Sequence, residues 1–188
     1  TDLVFGGRRY HILQLGTVMT APEYRGRGLN RAIMEYIERE YADADGIYLF
    51  ANDTVVDFYP RFGFRPAREM AYSKFFGLTG EKVAEQVIMD GPAAWEKLAA
   101  AMEKSTFRCG CEMVDNPGLI FFYVSQFMQE AVYFIPHLDA WVIAEPEEGS
   151  LTIHNIFGPA GTTIDDVARA FGRVRQVRLG FAPADAAG

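Results

Sequence analysis

A short basic turn, Arg25-Gly26-Arg27-Gly28, stands immediately before a segment with helical spacing. The first N–H groups of a helix have no partner within the helix, and the helix dipole adds partial positive charge at the same place. Two guanidinium groups beside that helix start add further positive charge. These residue types in this order predict a binding site for a pyrophosphate group.

Two elements must hold this turn in place. The mixed apolar and polar residues from Arg9 to Thr20 predict a partly buried strand, in which Gly16 indicates a bulge or a close approach to a ligand. A helix is predicted from about Gly28 to Ala42. Its apolar residues recur at helical spacing: Leu29, Ile33, Tyr36, Ile37 and Tyr41.

The spacing of the glycines excludes two common phosphate-binding motifs. A dinucleotide-binding turn needs three glycines and an acidic residue about 20 positions later. A P-loop needs Gly-Lys followed by Ser or Thr. The turn at residues 25–28 has neither pattern.

The frame Arg-x-x-Gly-x-Gly/Ala, set here by Arg25, Gly28 and Asn30, resembles the acetyl-CoA loop of the GNAT superfamily of N-acetyltransferases. A second motif follows in the family's order: Asn52 at a predicted strand end, then Phe-Tyr-x-x-x-Gly-Phe over residues 58–64. Together the two matches cover residues 9–76. The resemblance implies an α/β fold with a mixed β-sheet of the acyl-CoA N-acyltransferase type.

The resemblance also implies acetyl-CoA as co-substrate and assigns its contacts; no metal is expected. Backbone N–H groups of Val18, Met19 and Thr20 would meet the acetyl carbonyl and the pantetheine amides, and Asn52 would bond the pantetheine arm. The pyrophosphate would be held by Arg25, Gly26, Arg27, Gly28, Leu29 and Asn30.

By the same match Tyr59, seven positions after Asn52, would reach the coenzyme sulfur. A phenol with a pKa of about 10 stays protonated at neutral pH, so Tyr59 is a candidate general acid for the leaving thiolate. The alternative is that this tyrosine belongs to an aromatic core cluster. That cluster would contain Phe58, Tyr59, Phe62 and Phe64.

Three positions depart from the family pattern. Asn30 stands where the family has Gly or Ala, and Pro60 lies inside the predicted short helix, which it should kink. Ile47 occupies the position of a glutamate that relays the amine proton in members acetylating protein N-termini. No general base is therefore assigned. The weak candidates are His11, Asp57 and Glu69.

The composition is that of a globular protein. A chain of 188 residues with 49% hydrophobic and 14% aromatic content can bury a core as one large or two small domains. A net charge of −7 argues against a general nucleic-acid surface. We expect a soluble, cytoplasmic protein without a membrane span, and the family's first strands would precede Thr1.

Cys109 and Cys111 are the two cysteines of the chain. We expect reduced thiols, because a C-x-C pair is hard to close as a disulfide and supplies only half of a tetrahedral metal site. A redox or metal-binding pair is the alternative.

The remaining elements of the first part follow from turn and cap signals. Gly6-Gly7 predicts a tight hairpin turn, and the apolar run from Ile47 to Ala51 predicts a strand buried on both faces. A second helix is expected over Val55–Phe62, ended by Gly63, and a strand from Phe64 toward Phe76.

A linker at Leu78–Lys82 is predicted to separate a GNAT core at residues 1–76 from a second α/β lobe at 82–188. The lobe should contain a hairpin, a helix beginning at Thr163 and a final strand. This is the order of residues 3–51, so the lobe is expected to be a degenerate GNAT-like half. Lacking the arginine frame, it should not bind CoA. Its other predicted elements are a helix over Pro92–Lys104, a helix over 118–129, hairpin strands at 140–144 and 151–156, and a strand at Val177–Phe181.

The expected function is transfer of an acetyl group from acetyl-CoA to a primary amine by direct attack. The alternative is a non-catalytic CoA-binding sensor or interaction module. The expected partner is a small-molecule or peptide amine acceptor, with a homodimer as a further possibility. Neither nucleic acid nor a membrane is expected as a partner.

Overall fold

The computed structural model describes residues 1–184, so the last four residues of the predicted second lobe lie outside the described part. The strands are β1 (Asp2–Phe5), β2 (Arg8–Leu15), β3 (Gly46–Leu49), β4 (Tyr72–Lys82), β5 (Glu85–Gln86), β6 (Cys111–Val114), β7 (Val132–Ile135), β8 (Ala140–Glu147), β9 (Ser150–Phe157) and β10 (Phe171–Leu179). The helices are α1 (Leu29–Glu40), α2 (Pro92–Lys104), α3 (Pro117–Phe127) and α4 (Ile164–Ala170). This mixture confirms the predicted α/β class.

The chain forms two compact units. Unit 1 contains Thr1–Glu69 and Met113–Asp115. Unit 2 contains Met70–Glu112 and the chain from Asn116 onward. The boundary falls at Glu69, within a stretch without regular structure from residue 64 to 71.

Unit 1 is built on a hairpin and a helix. β1 and β2 pair antiparallel across Gly6 and Gly7, whose φ angles of +57° and +75° fit the predicted tight turn. β2 then pairs parallel with β3, and α1 forms the crossover between them. The sheet, in the order β3-β2-β1-β6, is mixed, as expected.

β2 is shorter than predicted. It ends at Leu15 and not at Thr20, and Gly16 lies outside it and not in a bulge. Thr17 has a φ of +55°, a conformation that ends a strand. The parallel ladder also stops there, because Leu15 pairs with Leu49, the last residue of β3.

No α-helix forms over Val55–Phe62. Two 3-10 turns occupy Asp53–Val55 and Tyr59–Phe62 instead, and Gly63 ends the second with a φ of +81°. Pro60 explains the difference, since it has no N–H to donate and its ring clashes with the carbonyl four residues earlier. The predicted strand from Phe64 is also wrong as far as residue 71, because β4 begins at Tyr72.

The prediction that β3 is buried on both faces is wrong. Tyr48 is 38% exposed and Phe50, just beyond the strand, is 71% exposed. β3 lies at an edge of its sheet. In α1 the buried residue is Met34, whereas Leu29, Ile33 and Tyr36 stay at least 41% exposed.

The predicted linker at Leu78–Lys82 is wrong as well. These residues form the second half of β4, which pairs antiparallel with β10 from Tyr72 to Lys82. The Gly and Thr residues of this segment are typical of a loop. Its backbone N–H and C=O groups are nevertheless satisfied by the extended pairing with β10.

Unit 2 contains a six-stranded sheet in the order β4-β10-β9-β8-β7-β5. α4 covers one face through a core that includes Leu151, Ile153 and Val167. A second core joins α2, α3 and the sheet through Leu98, Val124 and Ile143. The predicted α2 matches its observed bounds, and α3 and the β8–β9 hairpin are confirmed close to their predicted positions.

Both units contain the same succession of elements. In unit 1 the hairpin β1–β2 is followed by α1 and by β3, parallel to β2. In unit 2 the hairpin β8–β9 is followed by α4 and by β10, parallel to β9. The predicted order of the second lobe is therefore confirmed, although β10 begins at Phe171 and not at Val177.

Candidate functional site

The predicted pyrophosphate turn lies at the start of α1, in the loop formed by residues 16–28. Gly26 and Gly28 both have a φ of +74°, a conformation that favours glycine. The first helical hydrogen bond runs from the N–H of Ala32 to the carbonyl of Gly28. Among the described residues, none accepts a hydrogen bond from the N–H groups of residues 26–31. Six successive backbone donors are thus available to an anion.

Arg25 and Arg27 add positive charge to this turn. Within residues 1–184 neither forms an ion pair with a carboxylate. Arg27 lies over the ring of Tyr24, with its guanidinium carbon 5.5 Å from the ring centroid. The Nε of Arg25 donates to the carbonyl oxygen of Thr20 at 3.2 Å. Two guanidinium groups therefore stand beside the six free N–H groups without a neutralising acid.

Residues 18–20, predicted to meet the acetyl and pantetheine groups, belong to the same loop. Met19 is 75% exposed, whereas Val18 and Thr20 are half-buried. The hydroxyl of Thr20 donates to Oδ1 of Asn30 at 2.7 Å. Asn30, placed by the family frame at the pyrophosphate, is thus bonded to the loop.

Asn52 lies just after β3 and caps the first 3-10 turn. Its Oδ1 accepts from the backbone N–H of Thr54 and from the Thr54 hydroxyl, both at 3.1 Å. Asn52 is therefore the N-cap of this turn, and its side-chain oxygen is engaged in the cap. Its Nδ2 donates to no acceptor among the described residues.

Tyr59 is one of the two buried apolar or aromatic side chains of unit 1, at 8% exposure. Its ring packs edge-on against Phe58 and Phe64, with centroids 5.4 and 5.9 Å away. Its hydroxyl has no hydrogen-bond partner in the described chain, yet no described buried side-chain oxygen or nitrogen is left unpaired. The hydroxyl therefore reaches solvent while the ring is held in the aromatic cluster, so the two interpretations of Tyr59 are compatible.

The structure gives little support to the three candidate bases. His11 lies in β2, five residues before Gly16 and thus roughly 16 Å from the loop along an extended strand. Its Nδ1 is 2.7 Å from Oδ1 of Asp2. The hydrogen bonds from His11 and Arg9 lower the pKa of Asp2. Asp57 and Glu69 are exposed and have no ion pair among the described side chains.

Cys109 and Cys111 are free thiols. The Sγ of Cys109 donates to the carbonyl of Cys111 at 3.1 Å, and burial raises the pKa of both thiols. A raised pKa disfavours the thiolate needed for redox or metal chemistry. In the described part of the chain, no group of three or more His, Cys, Asp or Glu side chains is arranged to hold a metal ion.

In the corresponding loop of unit 2, residues 158–163, three of the backbone donors are satisfied within that unit. The N–H groups of Gly158 and Ala160 donate to the hydroxyls of Ser105 and Thr106 at 3.1 and 2.9 Å. The N–H of Thr162 donates to the carbonyl of Pro159 at 3.0 Å. Two acidic residues, Asp165 and Asp166, occupy the first turn of α4. This loop is therefore unsuited to an anion.

Sequence reasoning did not find the contacts of Thr20 with Asn30 and Arg25. These residues lie on two elements, and their spacing matches no periodic pattern. It also did not find the contact of Arg31 with the ring of Phe62, 5.7 Å from the guanidinium carbon. Only the folded loop brings these groups together.

No helix within residues 1–184 is long and apolar enough to cross a membrane.

Part of the chain matches a known protein family, and its fold resembles those of solved structures. Residues 3–66 match the acetyltransferase (GNAT) domain family. No curated protein matches the chain. The fold is similar to that of Eis1 from Mycobacterium abscessus, with 16% identity and a TM-score of 0.54 over 98% of this chain and 53% of Eis1.

A second similar structure is a conserved protein of unknown function from Enterococcus faecalis V583, described as a probable N-acyltransferase. It is 18% identical, with a TM-score of 0.52 over 95% of this chain and 49% of that protein. The chain thus spans about half the length of both structures. Residues 3–66, the segment that carries the candidate site, are thus similar to the acetyltransferase (GNAT) domain family.

Proposed function

We propose that the protein is an N-acetyltransferase that moves the acetyl group of acetyl-CoA to a primary amine. The observation that carries the proposal is the run of six unpaired N–H groups at residues 26–31, flanked by Arg25 and Arg27 and located within the family match. This arrangement suits the pyrophosphate of a coenzyme. In the described part of unit 1, no other loop combines the start of a helix with two arginines that form no ion pair with a carboxylate.

In this proposal the backbone N–H groups near Met19 polarise the thioester carbonyl as oxyanion donors. The amine nitrogen attacks the carbonyl carbon directly, and the carbon–sulfur bond breaks. Tyr59 donates its phenolic proton to the departing thiolate. We assign no side chain to removal of the amine proton, because none of His11, Asp57 and Glu69 is supported by its surroundings.

The experiment is a titration of the protein with CoA in a calorimeter, followed by measurement of thiol release from acetyl-CoA. The amine panel contains spermidine, a lysine-containing peptide, a peptide with only a free N-terminus, and an arylamine. Binding together with amine-dependent release supports the proposal. Absence of CoA binding by the folded protein would refute it.

A second candidate function is a non-catalytic CoA-binding module. The observation favouring it is that His11, the one imidazole of unit 1, is paired with Asp2 away from the loop. The same experiment separates the two functions. Saturable CoA binding without release for any amine in the panel would favour the binding module.

A further inference from the structure

Thr20 is held from two sides. Its hydroxyl donates to Oδ1 of Asn30 in the first turn of α1 at 2.7 Å, and its carbonyl accepts from Nε of Arg25 at 3.2 Å. Thr20 and the Asn30 side chain are half-buried. We call this set of two hydrogen bonds the Thr20 clasp.

The clasp joins two parts of the loop that face different portions of the coenzyme in the proposed function. Thr20 belongs to the segment whose N–H groups would meet the thioester and pantetheine. Arg25 and Asn30 belong to the turn that would hold the pyrophosphate. Because the clasp uses Nε of Arg25, the two terminal nitrogens of that guanidinium remain available to an anion.

Asn30 is the member of the clasp that departs from the family pattern of Gly or Ala. Its side-chain oxygen is engaged by a hydroxyl, so it does not act as a free acceptor. An amide oxygen turned toward a pyrophosphate would also repel it. We propose that Asn30 is a positioning residue, whose side chain acts on the coenzyme through Thr20, while its backbone N–H remains one of the six donors available to the pyrophosphate. This inference rests on the proposed function.

The test is a double-mutant cycle on CoA affinity with Thr20→Val, Asn30→Ala and the double variant. Thr20→Val keeps the shape of the side chain and deletes the donor, and Ala at position 30 agrees with the family pattern. Loss of one hydrogen bond predicts a decrease in affinity of about fivefold for each single variant. The double variant should bind no more weakly than the weaker single variant, because both changes remove the same bond.

Kinetics provide a readout that a purely structural role would not change. The KM for acetyl-CoA should rise in each single variant by a larger factor than kcat at saturating acetyl-CoA falls. Thr20→Ser keeps the hydroxyl and should restore the wild-type KM. Thr79→Val, the same chemical change at an exposed residue of unit 2, is the matched control.

Multiplicative losses in the double variant, about 25-fold for two fivefold effects, would show that Asn30 acts independently of Thr20 and would overturn the inference. Unchanged affinity in both single variants would overturn it as well. Thermal unfolding of each variant establishes that the compared proteins are folded. If wild-type protein fails to bind CoA, the proposed function itself has failed, which is a different result.

Discussion

At the scale of single residues, Tyr59 combines two properties that a general acid needs. Its ring is fixed by Phe58 and Phe64, so the hydroxyl has a defined position. Its hydroxyl is not engaged by any described residue, so it is available to a ligand. A residue serving only the core would need the ring and not the oxygen.

Replacing Tyr59 by Phe tests this distinction. The ring contacts remain, so CoA affinity should stay within twofold, whereas turnover should fall by about 10² because the thiolate leaves without a proton donor. Stopped-flow or steady-state thiol release measures the effect. Tyr36→Phe, at a residue that is 50% exposed on α1, is the matched control. Turnover within twofold of wild type would assign the proton to water or another group.

The two cysteines give a second prediction at this scale. Burial raises the pKa of both thiols, so at pH 7.5 each should carry less thiolate than an unperturbed cysteine. Alkylation by iodoacetamide should therefore be slower than for a short peptide with the same Cys-x-Cys sequence, and the rate should rise as the pH is raised toward 9. Labelling as fast as in the peptide would revive the reactive-pair interpretation.

At the scale of elements, the loop before α1 owes its properties to its two glycines. Gly28 caps the helix with a φ of +74°, and a Cβ built on it meets no atom within 4 Å. Space is therefore available at this position, although the conformation suits few residues. Asn and Asp adopt this positive φ more readily than most residues. A comparison of these two residues at position 28 therefore changes the charge and little else.

We expect Gly28→Asp to bind CoA at least about tenfold more weakly than Gly28→Asn, equivalent to about 1.4 kcal/mol. The two side chains have similar shape and backbone preference, so the difference reports the repulsion between a carboxylate and the pyrophosphate. Calorimetric titration of both folded variants gives the ratio. Equal CoA affinities of the two variants would show that the pyrophosphate does not bind at this turn.

How much could be predicted from sequence differed between the elements. α2 and the β8–β9 hairpin follow from patterns within one segment, namely the proline at the helix start and the alternation about a polar turn. The second half of β4, Leu78–Lys82, was mistaken for a linker, because this part of the strand is specified by pairing with β10, almost a hundred residues later. The prediction of a short helix over Val55–Phe62 was wrong because Pro60 interrupts it. At the candidate site, the glycine turn was readable and the Thr20 clasp was not, since the clasp joins side chains across a folded loop.

At the scale of the whole molecule, the hairpin–helix–strand succession occurs twice and differs in one connection. Residues 16–28 join strand to helix in unit 1, and the shorter segment 158–163 does so in unit 2. The topology of a parallel strand–helix–strand crossover does not depend on the length or sequence of the segment that joins strand to helix. Binding properties can therefore differ between the units while the arrangement of strands is kept.

We predict one CoA site per chain. The N–H groups of Gly158, Ala160 and Thr162 are used within unit 2, and Asp165 and Asp166 would repel a phosphate. Calorimetry should give a stoichiometry of one, and two equivalents would contradict the prediction.

Asp166→Ala provides the companion variant, because Asp166 bonds Thr163 at 2.6 Å and Arg169 at 3.1 Å. It should lower the unfolding free energy by about 1 kcal/mol through loss of these contacts at the start of α4. CoA affinity should not change. Loss of all CoA binding in the folded variant would place the site in unit 2.

The unpaired N–H groups of residues 26–31 also determine how fast this loop exchanges its amide protons with solvent. Amide protons without an acceptor exchange with solvent at nearly the rate of an unstructured peptide, whereas those of Gly158, Ala160 and Thr162 should be slowed by their hydrogen bonds. Deuterium uptake should thus be fast in one loop and slow in its counterpart. A bound pyrophosphate would take the place of the missing acceptors, so the fast loop should become slow when CoA is added, and the protection would identify the loop without any change in sequence.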